Sequence, residues 1–100
     1  MNVRVTDEQS AVRIGLEGRF AFEHRRAFVA ATDAALASRA PKVLVDLCGV
    51  AYMDSSALGM LLVLRDKAAG AKKSVALSCR PGMVRDILTV ANFGKLFALE

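Results

Sequence analysis

The sequence predicts an α/β fold, a mixed sheet of four to five strands with helices packed against it, and three observations predict it. Val3 and Val5, then Val12, Ile14 and Leu16, alternate with polar or small residues, the period-2 pattern of half-buried strands. Residues 43–47 and 74–78 are short apolar runs separated by a helix-like stretch from 57 to 69, an order that implies parallel strands joined by a right-handed crossover. With 54% hydrophobic and 24% charged residues, the composition is that of a globular core and not of a disordered chain. We expect one domain over residues 1–100, since no repeat, low-complexity tract or linker interrupts the 100 residues.

Taken in order, residues 6–10 connect the first two strands, and Gly18-Arg19-Phe20-Ala21-Phe22-Glu23 reads as a turn into a helix that starts near His24. In that helix Phe28, Ala31, Thr32 and Ala35 share one face, while Arg25, Arg26, Asp33 and Arg39 look outward. Pro41 stops it. The third strand, 43–47, is almost continuously apolar, which implies cover on both faces, and Cys48-Gly49-Val50 leads out of it.

The next helix places Ala57, Leu61, Leu64 and Ala68 on its core face, with Leu58 on the margin. Leu62 and Val63 fall outside that face, on the broad side of Gly59 and Asp66; they either pack on a neighbouring helix or form an exposed apolar patch. Gly70 and the cations Lys72 and Lys73 suit the helix end. After the fourth strand Pro81 opens a helix with Val84, Ile87, Leu88 and Ala91 on its core face. A turn at 92–95 leads to Leu96, Phe97 and Leu99 as a short strand or helical turn.

The longest apolar run is broken by Arg65-Asp66-Lys67, so neither a membrane span nor direct membrane insertion is expected. The polar, alternating N-terminus is not a signal peptide, which makes the cytoplasm the expected compartment. There, Cys48 and Cys79 are expected to be reduced packing residues. The net charge of +4 comes from scattered bases without interleaved aromatics, which argues against a nucleic-acid partner.

Residues 79–85 fit C-x-x-G-x-x-R, the phosphate loop of cysteine-dependent phosphatases. Pro81 lacks the N–H such a cradle needs, and Asp86 places negative charge beside it, so packing and helix initiation are the better reading of Cys79. His24, Cys48 and Cys79 lack metal-ligand spacing, and His24 reads as a surface or capping residue. The chain has no nucleophile elbow, no Walker loop and no G-x-G-x-x-G, so no cofactor is expected and the protein reads as a non-enzyme.

The remaining constellation is Asp54-Ser55-Ser56. Local chemistry alone makes these residues helix caps, because their side-chain oxygens can accept from the free N–H groups of a first turn. From Val43 to Lys67, however, the chain resembles the STAS domain of bacterial anti-sigma factor antagonists: a V-L-V-D-L strand, then G-V, then M-D-S-S-x-L-G entering an apolar helix. The order of elements matches over essentially the whole chain. This resemblance implies a phosphoacceptor at Ser56, a cognate anti-sigma factor that is itself a serine kinase, and a PP2C-type phosphatase that restores the hydroxyl. The implied partner face comprises Asp54, Ser55, Ser56, Gly59, Leu62 and Val63, with Arg19 and Arg25 beside it.

Two departures stand out. Ala57 replaces a glycine common after the serines, and Gly18-Arg19-Phe20-Ala21 stands where the family often has G-E-L-D, which together with Arg25-Arg26 implies a differently charged partner surface. An alternative implication is a STAS subunit of a membrane assembly such as a lipid-transport ABC system, in which the hydroxyl-bearing helix is a static docking surface.

Overall fold

A computed structural model describes residues 1–100. The strands are β1 (Asn2–Asp7), β2 (Val12–Phe20), β3 (Lys42–Met53), β4 (Ser74–Ser78) and β5 (Ala98–Leu99), and the helices are α1 (Arg25–Leu36), α2 (Ser55–Gly70) and α3 (Met83–Val90). Short 3-10 turns at Phe22–His24 and Phe93–Lys95 precede α1 and β5. The sheet order is β1-β2-β3-β4-β5; β1 runs antiparallel to β2, and every other pair is parallel. The expected mixed α/β sheet is therefore present, with a helix inside each of three parallel crossovers.

Alternation decides the layers. Val12, Ile14, Leu16, Val43, Val45, Leu47 and Leu77 point to one side and join Phe28, Ala31, Ala35, Ala57, Leu61, Leu64, Val84 and Leu88 in one core. All three helices thus lie on the same face. The other face is polar, with Arg13 Nη1 at 3.1 Å from Asp46 and Lys42 Nζ at 2.7 Å from Glu100. Cover of the third strand on both faces is accordingly not found: Leu44 and Ala76 are buried on the open face among the side chains of adjacent strands, in the cross-strand row Arg13–Leu44–Ala76. Asp46 is pushed up by burial, but the Cys48 N–H at 2.9 Å, the Cys48 side chain and Arg13 outweigh this and leave its carboxyl below the ordinary value.

One supposed turn and one supposed strand exit belong to strands. β3 does not end at Leu47 but continues through Cys48, Gly49 and Val50 to Met53, and β2 continues to Phe20, which is fully buried against Phe28 at 4.9 Å between ring centroids. The glycines mark irregular pairing instead of chain reversal: the β2–β3 register shifts between Gly15 and Glu17 and again between Gly18 and Arg19. A Cβ at Gly49 would sit 2.8 Å from Glu17 Cγ and 3.1 Å from the Leu16 carbonyl oxygen, so the strands close there only around glycine.

Smaller differences have local causes. Val5 is exposed because β1 is an edge strand. α3 starts at Met83 and not at Pro81, since Gly82 has φ +146°, outside the helical region. Val84 and Leu88 are its buried residues, and Ile87 and Ala91 pack half-buried against the same core. Cys48 is exposed instead of packed, and His24 occupies the α1 N-cap position without a side-chain capping bond. At the end of α2, Lys73 Nζ donates to the carbonyls of Ser38 and Ala40, tying that end to the exit of α1.

Candidate functional site

Because β2, β3, β4 and β5 are parallel, the helices between them all return the chain and start at the carboxyl ends of the strands. The junction from β3 to α2 is held by Asp54. In extended conformation at the N-cap, its Oδ1 accepts from the Ala57 N–H at 3.0 Å, and its Oδ2 accepts from the Phe22 N–H at 3.2 Å. One carboxylate therefore caps α2 and fastens it to the segment entering α1. Neither serine shares the work: no side-chain hydrogen bond involves Ser55, which is exposed, or Ser56, which is half-buried. The expectation that these serines cap the helix is corrected accordingly.

Ser56 opens instead onto a groove of ≈ 440 Å³ between α1 and α2. Gly59, Met60, Val63 and Lys67 continue its α2 wall, while Phe22, Arg25, Val29 and Thr32 form much of the other. Val63 is 52% and Phe22 55% exposed, so the outward apolar residues of α2 form a patch and are not covered by a neighbouring helix. Arg25 stacks its guanidinium 4.2 Å over the Phe22 ring and donates to the Phe22 carbonyl at 3.3 Å.

The groove thus gathers Ser56, Gly59, Val63 and Arg25 from the expected partner face. It leaves out Asp54 and Ser55 at the helix start, Leu62, 36% exposed on α2, and Arg19, which sits over the Tyr52 ring at 4.5 Å and 3.6 Å from Glu23. Sequence reasoning missed Phe22, Val29 and Lys67 as groove residues. It also missed a second apolar groove of ≈ 540 Å³ between α2 and α3, lined by Leu58, Met83, Ile87 and Val90 with Asp86 beside them. The available signal was the surplus of large apolar residues off the core faces, Val29 and Val90 among them.

The junction from β4 to α3 has a different chemistry. Burial pushes the Cys79 thiol up, and Arg85, with Nη1 at 3.7 Å from the sulfur, only partly offsets it. Arg85 also donates to the Cys79 carbonyl at 2.9 Å, as a structural tie would. A protonated, buried thiol is the opposite of the exposed thiolate a phosphatase loop requires. No group of three or more His, Cys, Asp or Glu side chains is placed to hold a metal ion, and no helix is long and apolar enough to cross a membrane.

Known proteins resemble the chain in sequence and in fold. A family model described as Mlab, STAS domain, matches residues 3–99. A STAS-domain containing protein of Pseudomonas aeruginosa (strain UCBPP-PA14) is 42% identical over 88 residues, covering 87% of this chain and 85% of that protein. Among solved structures, an anti-sigma factor antagonist from Mycobacterium paratuberculosis matches with a TM-score of 0.87 at 20% identity, covering 98% of this chain and 83% of the other. The Bacillus cell fate determinant SpoIIAA in its phosphorylated form matches with a TM-score of 0.73 at 15% identity, covering 99% and 91%.

Proposed function

The chain belongs to the STAS domain family, and on that premise we propose that it is an anti-sigma factor antagonist that works as a phosphorylation-controlled binding switch. The carrying observation is the division of labour at the start of α2: Asp54 does the capping, so the Ser56 hydroxyl is free, half-exposed and set at the rim of an apolar groove. In the unmodified state the groove and the outer face of α2 bind the anti-sigma factor, itself a serine kinase. The kinase transfers the terminal phosphoryl group of ATP to Ser56 Oγ, a proton leaves the hydroxyl, and ADP is released. A PP2C-type phosphatase returns the hydroxyl by hydrolysis. The protein is a binder and a kinase substrate, and its own side chains do no catalysis.

Physical chemistry supports this use of the position. Phosphate adds about −1.5 to −2 charges at a helix start, where unpaired N–H groups tolerate an anion and the fold survives. A docked partner has to desolvate that charge beside Asp54; a loss of ~3 kcal/mol corresponds to more than hundredfold weaker binding. One structural neighbour is a phosphorylated form, and another is an anti-sigma factor antagonist, which favours the same reading.

The family model, described as Mlab, is also compatible with a second reading, a STAS subunit of a lipid-transport ABC assembly in which α2 is a static docking surface. Intact-mass measurement after incubation with the cognate kinase and ATP separates them. The switch predicts one added phosphate located at Ser56; no addition, or addition elsewhere, together with co-purification of an ATPase subunit, supports the docking subunit instead.

A further inference from the structure

We propose that Arg25 is the internal receptor of a phosphate on Ser56, so that modification bridges the mouth of the α1–α2 groove from within the chain. This rests on Ser56 being the phosphoacceptor. α1 and α2 each connect parallel neighbouring strands and so start at the same end of the sheet. The Phe22 N–H to Asp54 Oδ2 bond ties those two starts together at 3.2 Å, and Arg25 follows Phe22 by one helical turn, on the groove that Ser56 lines.

The other charges near this groove are already answered. Lys67 lies 3.8 Å from Asp33, Arg19, which does not line the groove, lies 3.6 Å from Glu23, and both Asp54 oxygens accept backbone N–H groups. Arg25 has no carboxylate within ion-pair range; its guanidinium rests on the Phe22 ring and spends one N–H on the Phe22 carbonyl. A guanidinium has five N–H donors in a planar fork that suits phosphate oxygens, so most of its donors remain for the anion. A dianion on Ser56 shares its groove with Arg25, the one groove-lining cation that has no carboxylate partner, and the Arg25 side chain is exposed.

The consequence is a switch with two parts. The charge is partly neutralised within the chain, and the Arg25 side chain, drawn across to α2, covers apolar surface between Phe22 and Val63 that a partner would otherwise use. Release then comes from occupation of the groove as well as from repulsion.

The test installs phosphoserine at position 56 during translation, so it needs no kinase. The phosphate's second ionisation is then followed by ³¹P NMR in the wild-type background and in Arg25→Gln and Arg25→Lys variants. Folding of each is checked by circular dichroism. A cation on the phosphate favours the dianion, so the wild-type dianion should bind a proton on the order of three- to tenfold more weakly than in Arg25→Gln, with Arg25→Lys recovering part of the difference. Equal titration curves in wild type and Arg25→Gln overturn the contact. Failure of a kinase to label Ser56 would count against the proposed function and leave this contact standing.

Discussion

The two strand-to-helix junctions at the carboxyl ends of β3 and β4 each carry a side chain of nucleophilic type, yet they are built in opposite ways. At the start of α2 a separate residue, Asp54, takes the structural duty, and Ser56 is left unbonded at a groove. At the start of α3 no side chain caps the helix, Gly82 makes the turn with φ +146°, and the candidate nucleophile Cys79 is itself part of the core, 5% exposed and tied to Arg85. Residue type at a helix start therefore decides little. Availability to solvent follows from whether a neighbour has relieved the side chain of its packing or capping role.

The contrast can be broken or sharpened by measurement. The largest effect is expected at Ser56: Ser56→Ala should bind the partner as the unmodified protein does, and Ser56→Asp about a hundredfold more weakly, a difference of ~3 kcal/mol readable by calorimetry. Equal affinities of the two variants would remove the electrostatic basis of the switch.

Next in size is the cap itself. Asp54→Ala should lower unfolding stability in urea by about 1–2 kcal/mol because the Phe22 N–H loses its acceptor and the Ala57 N–H keeps only the Asp54 carbonyl at 3.1 Å, whereas Ser55→Ala and Ser56→Ala should each stay within about 0.5 kcal/mol of wild type. A comparable loss at Ser56 would make it a cap and dissolve the distinction between the junctions. The smallest perturbation is chemical. With a thiol reagent at mildly alkaline pH, exposed Cys48 should be modified promptly and Cys79 only as the chain opens, giving two separate steps in the mass spectrum. Prompt labelling of both would show the second junction to be as accessible as the first.

Much of the fold was legible because burial imposes periodicity. The faces Phe28, Ala31, Thr32, Ala35 and Ala57, Leu61, Leu64, Ala68 are the buried residues of α1 and α2. Legibility failed where glycine has more than one meaning. Gly18 reads as a turn and Gly49 as the exit from a strand, but long-range pairing of β2 with β3 absorbs them into bulged strands, which no local window reveals. The same holds for Ser56. Three adjacent residues offered capping oxygens, and only the position of Phe22, thirty-two residues away in sequence from Asp54, shows that one carboxylate serves both helices. The grooves were hidden for a related reason: an apolar residue off a core face has no sequence marker that tells an open cleft from a packed contact.

The common starting end of the three helices also bears on how fast a partner arrives. Each helix presents roughly half a positive elementary charge at its first turn, and here three such ends lie at one end of the sheet, where exposed Arg25, Arg26 and Arg80 add to them and Glu23, Asp54 and Asp86 offset part of the charge. A partner with acidic groups is oriented by this field before any surface touches, so its encounter rate should rise as ionic strength falls while the lifetime of the finished complex changes little. Placing two negative charges on that same end reverses part of the field. Modification of one hydroxyl would then slow the approach of new partners as well as loosen those already bound.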